Sequence, residues 1–97
     1  MTVKVIGLIE LSDQDAFEQY RSKVGHTVEL YKGRIESRGK VTQFYWNELP
    51  CKAFGAFVEL HFPTQADADA WARSPEYKSL VVVRNQAMKL TLFSASI

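Results

Sequence analysis

Two segments of the sequence carry charged residues at strand-like spacing, and the first of them is rich in arginine. Arg34, Glu36 and Arg38 alternate, so a regular strand would point all three side chains to one face. Two guanidinium groups on one face could then bind a carboxylate or a phosphate through paired hydrogen bonds. The alternative interpretation is a structural ladder in which Glu36 neutralises its two neighbours.

The second segment pairs a carboxylate with an imidazole. Glu59 and His61 share one strand face with Phe57 and could support proton transfer, because an imidazole titrates near neutral pH. Placing a carboxylate in an otherwise apolar strand costs free energy unless the carboxylate is paired with a cation or hydrated. The alternative is therefore a buried ion pair between Glu59 and an arginine of the preceding strand. His61 and Glu59 are the catalytic candidates, and the structural interpretation stays open beside them.

Strands and a helix must position these residues, and the first half of the chain predicts three elements. Val3 to Leu11 is rich in β-branched residues and is mostly apolar on both faces, which predicts a strand covered on both sides. Ser12 is predicted to cap a helix that ends at Gly33. Its apolar stripe consists of Phe17, Tyr20, Val24, Val28 and Tyr31. Arg34 to Asn47 then alternates with period two, which predicts one long or bulged strand bent at Gly39.

The second half predicts the remaining elements. Phe54 to Phe62 is a strand that should form a hairpin with the preceding one. Thr64 begins a short helix, and Ser74-Pro75 is a second helix start, because serine caps and proline fits the first turn. Glu76 to Ala87 is predicted to continue as helix despite its three valines. Met88 to Ile97 alternates and closes the fold as the last strand.

The order of these elements predicts the fold and the assembly. The order β, α, β, β, α, β is that of the ferredoxin-like arrangement, which predicts a single α+β domain over residues 1–97. Its four-stranded antiparallel sheet would carry the helices on one face. Because each strand is apolar on both faces, the helix-free face would expose an apolar patch in an isolated chain. The sequence therefore predicts a homodimer that packs sheet against sheet.

Composition limits which partners and which cellular compartment are expected. The 12 Lys and Arg are interleaved with 11 Asp and Glu, without a basic run that could follow a phosphate backbone, so nucleic acid is not an expected partner. No export leader or membrane-spanning apolar run is recognisable, so no membrane partner is expected. The single cysteine, Cys51, fits a reducing compartment and predicts a cytoplasmic protein. No phosphate loop, nucleophile elbow or metal-ligand spacing is present, so no metal or cofactor is predicted.

Three segments carry a family resemblance over the whole chain. These are Phe17 to Arg21, Tyr31 to Gly39 and Phe62 to Tyr77, the last with a Phe-Pro turn, an Ala-x-x-Trp helix and a Ser-Pro-Glu-Tyr restart. The chain resembles the uncharacterised bacterial family called domain of unknown function thirteen-thirty, within the dimeric α/β-barrel superfamily. That resemblance implies a ferredoxin-like monomer whose sheet joins a partner's sheet to form a barrel.

The resemblance also implies site residues. Arg34 and Arg38 are similar to the family's arginine positions in the second strand, and Arg84 to its arginine in the last helix, so these three are the ligand-binding candidates. His61 stands where the family usually has a glutamate. Because the superfamily includes enzymes and non-catalytic dimers, the fold alone implies no chemistry. Two hypotheses follow: a cofactor-independent enzyme of monooxygenase, isomerase or lyase type acting on a small acidic or phenolic compound, and a non-catalytic dimeric binding or stress-associated protein.

Overall fold

The computed structural model describes residues 2–49 and 53–97 and shows a single antiparallel sheet covered by helices on one face. The elements are β1 (Val3–Leu11), α1 (Gln14–Leu30), β2 (Arg34–Lys40), β3 (Ala56–Phe62), α2 (Gln65–Ala72), α3 (Pro75–Lys78), α4 (Val81–Ala87) and β4 (Met88–Ser96). The strand order β2-β3-β1-β4 is that of a ferredoxin-like domain. The predicted α+β fold is confirmed. The sheet of one chain is open, so a barrel requires a second sheet.

The core lies between the sheet and the helices, and strand alternation decides which residues enter it. In β1, every second residue from Val3 to Ile9 is buried, whereas Lys4, Ile6 and Leu8 are only half-buried. Phe62 and Trp71 are completely or almost completely buried, and their ring centroids lie 5.6 Å apart. The side of the sheet that holds this core is called the helix-facing side below, and the other side the helix-free face.

The first helix begins one residue later than predicted. Asp13, and not Ser12, is the N-cap residue, and its side chain accepts a hydrogen bond of 3.1 Å from the amide of Ala16. The backbone amides of Ser12 and Asp13 both donate to the carbonyl oxygen of Ala87, at 2.8 and 3.0 Å, which ties the start of the helix to the end of α4. Two adjacent polar residues satisfy the same capping rule, and residue type alone does not decide between them.

The long predicted strand ends at Lys40, so the prediction of a strand to Asn47 is wrong. The amide of Val41 donates to the carbonyl of Gly55 at 2.9 Å, and the chain then leaves the sheet. Phe44 packs edge-on against Phe54 with ring centroids 5.2 Å apart. The aromatic alternation that predicted a strand therefore belongs to the connection between β2 and β3. Cys51, predicted to lie in the same connection, is outside the described residues.

The helical region before β4 is interrupted. Thr64 and Ser74 cap helices as predicted, each accepting a hydrogen bond of 3.1 Å from an amide three residues on. The continuous helix predicted over Glu76 to Ala87 is instead split into α3 and α4, although the valines of α4 are helical as predicted. Within the described residues, no helix combines the length and the apolar character needed to cross a bilayer.

Candidate functional site

A β-bulge separates the arginines that the sequence placed together. Arg34 lies opposite His61 in β3, but Arg38 lies opposite Val58, because the register shifts by one residue around Glu36. Val58 packs against the core, so the bulge turns Arg38 to the helix-facing side while Arg34 stays on the helix-free face. The prediction that Arg34, Glu36 and Arg38 share one face is therefore wrong for Arg38.

An ion-pair cluster occupies one end of the helix-free face. Lys4 donates hydrogen bonds to the carboxylates of Glu36 and Glu59, the second at 2.9 Å. Arg34 Nη2 donates to Glu36 Oε1 at 2.8 Å. The partner of Glu59 is therefore the lysine of β1, and not an arginine of β2 as predicted. His61 lies in register between Lys4 and Arg34, so the structure does bring Arg34, Glu59 and His61 together on one face.

This cluster links stability to pH through one carboxylate. The hydrogen bonds from Lys4, followed by those from Arg34, lower the pKa of Glu36 to about 2. A carboxyl group whose pKa is lower in the folded than in the unfolded chain stabilises the fold above its unfolded pKa, near 4.3. That contribution disappears as the pH falls through the folded pKa.

We therefore expect the Glu36→Gln variant to lose less stability than the wild type between pH 5 and pH 2. Urea unfolding midpoints at one fixed protein concentration measure this difference. Glu29→Gln, on an exposed position of α1, serves as the control and should keep the wild-type acid dependence. Equal acid dependence in wild type and Glu36→Gln would contradict the assignment.

A groove of about 420 Å³ lies on the other side of the sheet, between its helix-facing side and α1. Its walls are apolar side chains from the helix and from all four strands. They include Phe17, Val24, Ile35, Val58, Leu90 and Ile9. The helix does not fill the space above the sheet here, so an apolar cavity opens beside the core.

Cations line the mouth of this groove. Arg21, Arg38 and Lys40 all line it and are exposed, and no carboxylate does so among the described residues. Arg21 Nη1 lies 3.8 Å from the carboxylate of Glu18. The arrangement therefore favours an anionic group at the mouth and an apolar body inside.

The buried part of the groove wall contains a tyrosine with a polar partner. Tyr20 lines the groove, and its hydroxyl oxygen lies 3.0 Å from that of Tyr77. Arg84 Nη1 donates to the Tyr77 hydroxyl at 3.0 Å, and its guanidinium lies 5.6 Å from the Tyr77 ring centroid. Burial, followed by the neighbouring Tyr77, raises the pKa of Tyr20 well above its ordinary value. Arg84, predicted to bind ligand, thus contacts a tyrosine and does not itself line the groove.

The predicted site residues other than Arg84 therefore divide between two places. Arg38 lines the groove, whereas Arg34, Glu59 and His61 lie on the opposite side of the sheet. Sequence reasoning missed Tyr20 as a polar site residue because its helical spacing made it a core residue. No three His, Cys, Asp or Glu side chains within residues 2–49 and 53–97 come close enough to hold a metal ion.

Comparisons with known proteins agree with this architecture. The model of a family described as "Domain of unknown function (DUF1330)" matches residues 3–95. The curated proteins contain no match to the chain. Among solved structures, RPA0582 of Rhodopseudomonas palustris, a protein of unknown function, is 17% identical with a TM-score of 0.77, covering 99% of this chain and 82% of that one.

Two further solved structures are described by assembly or activity. A dimeric ferredoxin-like protein of unknown function from Thermobifida fusca is 12% identical, with a TM-score of 0.68 over 100% of this chain and 92% of that one. SnoaB of Streptomyces nogalater, a cofactor-independent oxygenase, is 6% identical, with a TM-score of 0.71 over 99% of this chain and 92% of that one. Identities this low show a shared fold alone.

Proposed function

The chain belongs to the family described as domain of unknown function DUF1330, and from that premise we propose that it binds a small acidic or phenolic molecule in the groove between α1 and the sheet. The observation that carries this proposal is the combination of apolar walls with three cations at the mouth. The anionic group of the ligand lies against Arg38, and its apolar body lies against the side chains of α1 and the strands.

The dimensions and the electrostatics of the groove support this ligand class. Small-molecule sites in proteins commonly enclose about 300–1,000 Å³, and a volume of about 420 Å³ accommodates a substituted aromatic ring or two fused rings. Apolar burial supplies affinity at roughly 25 cal/mol per Å², while the cations select the sign of the charge. A neutral or cationic compound of the same size gains only the first contribution.

We propose further that the bound molecule is transformed without a cofactor, by chemistry of the monooxygenase, isomerase or lyase type. The support is a fold shared with SnoaB, which is a cofactor-independent oxygenase, and a buried tyrosine in the groove wall. The alternative is a dimeric protein that binds its ligand without transforming it. The catalytic role of His61 and Glu59 stays a prediction, and both residues face away from the groove.

The same chain is proposed to form a homodimer through its helix-free face. That face carries a central apolar patch, in which Leu8 pairs with Phe57 and Ile6 pairs with Phe93. Phe93 is 44% exposed in the single chain. Structural neighbours with this fold are described as dimeric. A second copy covers the patch and joins the two open sheets.

The groove is tested by replacing an arginine of β2 with glutamine, once on each side of the sheet. We expect Arg38→Gln to weaken binding of 4-isopropylbenzoate and 2-naphthoate by roughly five- to twentyfold, because a charge-assisted hydrogen bond is lost at a partly exposed site. Arg34→Gln, four residues away on the opposite face, is the matched control and should bind as the wild type does. Titration calorimetry measures both. Equal losses in the two variants, or no binding by the wild type, would contradict the assignment of the groove.

Turnover is tested with the acids and phenols that bind. Oxygen consumption and product analysis by mass spectrometry, on protein stripped of metal by a chelator, separate an oxygenase from an isomerase or lyase. Binding without any change in the ligand would favour the non-catalytic alternative and leave the groove assignment in place.

A further inference from the structure

A chain of hydrogen bonds runs from α4 to the groove and ends in a hydroxyl proton without an acceptor. Arg84 donates to the Tyr77 hydroxyl at 3.0 Å, and the two tyrosine hydroxyl oxygens lie 3.0 Å apart. That second contact uses only one of the two hydroxyl protons. Within the described part of the chain, neither hydroxyl has another partner. One proton is therefore left over.

The burial of the two residues decides which proton is free. Tyr77 is 3% exposed and does not line the groove, so a free proton on its hydroxyl would be buried without an acceptor, which costs free energy. Tyr20 is 9% exposed and lines the groove, where a water or a ligand atom can accept. The lower-energy arrangement has Tyr77 donating to Tyr20, so the hydroxyl proton of Tyr20 is the free one.

We propose that the Tyr20 hydroxyl donates a hydrogen bond to an acceptor oxygen at the buried end of the ligand, and that Arg84 acts through Tyr77 to hold and polarise this donor. The inference rests on the proposed ligand groove and deepens it. The ligand class becomes bifunctional, with an anionic group at the mouth near Arg38 and a carbonyl or phenolate oxygen inside.

Two physical properties of the chain suit this role. Burial and the neighbouring phenol raise the pKa of Tyr20, so its hydroxyl keeps its proton at neutral pH and remains a donor. A cation at the far end of a hydrogen-bond chain in a low-dielectric interior strengthens each successive donor. An oxygen that gains negative charge, such as that of an enolate, is stabilised most by such a donor. Arg84 is a positioning residue here, because it contacts Tyr77 and not the groove.

The experiment compares probes that differ only in the acceptor oxygen. 4-Acetylbenzoate and 4-isopropylbenzoate have nearly the same shape, and 6-acetyl- and 6-isopropyl-2-naphthoate form a longer pair. We expect the wild type to prefer the acetyl member of at least one pair by roughly five- to tenfold, and Tyr20→Phe to abolish that preference while still binding the isopropyl member. The infrared C=O stretch of the bound ketone should shift to lower frequency in the wild type and not in Tyr20→Phe.

Arg84 is tested by the same infrared readout, which a loss of stability alone does not move. Arg84→Met should reduce the shift of the ketone stretch, and Arg84→Lys, which keeps a donor for Tyr77, should restore most of it. If the isopropyl compounds bind and their binding requires Arg38, but the wild type does not prefer the acetyl compounds, the Tyr20 proposal is overturned. The proposed function then still stands. Absence of binding by all four compounds would overturn both. A preference that survives in Tyr20→Phe would assign the donor to another group.

Discussion

The Leu8→Asp variant is expected to be monomeric at concentrations at which the wild type is a dimer. Leu8 lies on the helix-free face of β1, an inner strand of the sheet, and its cross-strand neighbours are Phe57 and Thr91. A second sheet packed on this face would enclose the new carboxylate, and Lys89, which shares a small cavity with Leu8, lies opposite Glu10 and not opposite Leu8. Leaving such a charge buried and unpaired costs roughly 3–5 kcal/mol, which weakens association by a factor of about a hundred or more. Sedimentation velocity over a range of concentrations measures the change.

The control for this variant places the same charge on an apolar residue outside the proposed interface. Val82 is 81% exposed on α4, on the helix side of the molecule, so Val82→Asp should sediment like the wild type. A Leu8→Asp protein that remains dimeric would place the interface on another surface. Dissociation by both variants would point to the helix layer instead of the sheet.

The fold was predictable from the sequence because its signals are local and agree with one another. The alternation in Val3–Leu11 and the capping residues Thr64 and Ser74 each report on their own segment, and the order of the elements leaves few topologies. Element ends were less predictable. Ser12 and Asp13 satisfy the same capping rule, and the backbone amides of both donate to Ala87, so residue type alone does not separate them.

The faces of the second strand were not predictable, because alternation assumes a regular strand. One extra residue at Glu36 turns every later side chain to the opposite side, which moves Arg38 from the ion-pair cluster to the groove. Nothing in the residue types around Glu36 distinguishes a bulge from a regular strand. The partner of Glu59 was also missed, because Lys4 lies 55 residues away in a strand whose pairing is set by the whole sheet.

The groove could not be predicted, because it is a gap between two elements and not a property of either. Phe17, Tyr20 and Val24 have the spacing of an ordinary core stripe, and the sequence does not state how closely that stripe approaches the sheet. The hydroxyl of Tyr20 becomes a site feature only when α3 brings Tyr77 to within 3.0 Å of it. Chemistry that depends on such a contact is visible in the structure alone.

The glycine after the first helix has a different role from the one that its position predicts. A glycine at the end of a helix usually supplies left-handed backbone, but here that conformation belongs to Lys32, with a φ angle of 71°. Gly33 is instead required by packing. A Cβ atom at this position would lie 2.5 Å from Cε1 of Phe62, whose ring is completely buried. The ring cannot move aside freely, because it packs against Trp71.

Gly33→Ala is therefore expected to destabilise the protein by about 2–3 kcal/mol, the cost of forcing an extra methyl group into a packed core. For a domain of 97 residues this lowers the melting temperature by roughly 8–24 °C at fixed protein concentration. Gly55→Ala is the matched control, since its added Cβ meets no atom within 4 Å and should change stability by less than about 0.5 kcal/mol. Lys32→Gly should be neutral or stabilising, because it removes left-handed strain from a residue with a side chain. If Gly33→Ala had the same melting temperature as the wild type while Lys32→Gly had a higher one, the approach of Phe62 would not be what requires glycine at position 33. Backbone conformation would then determine the residues of this turn.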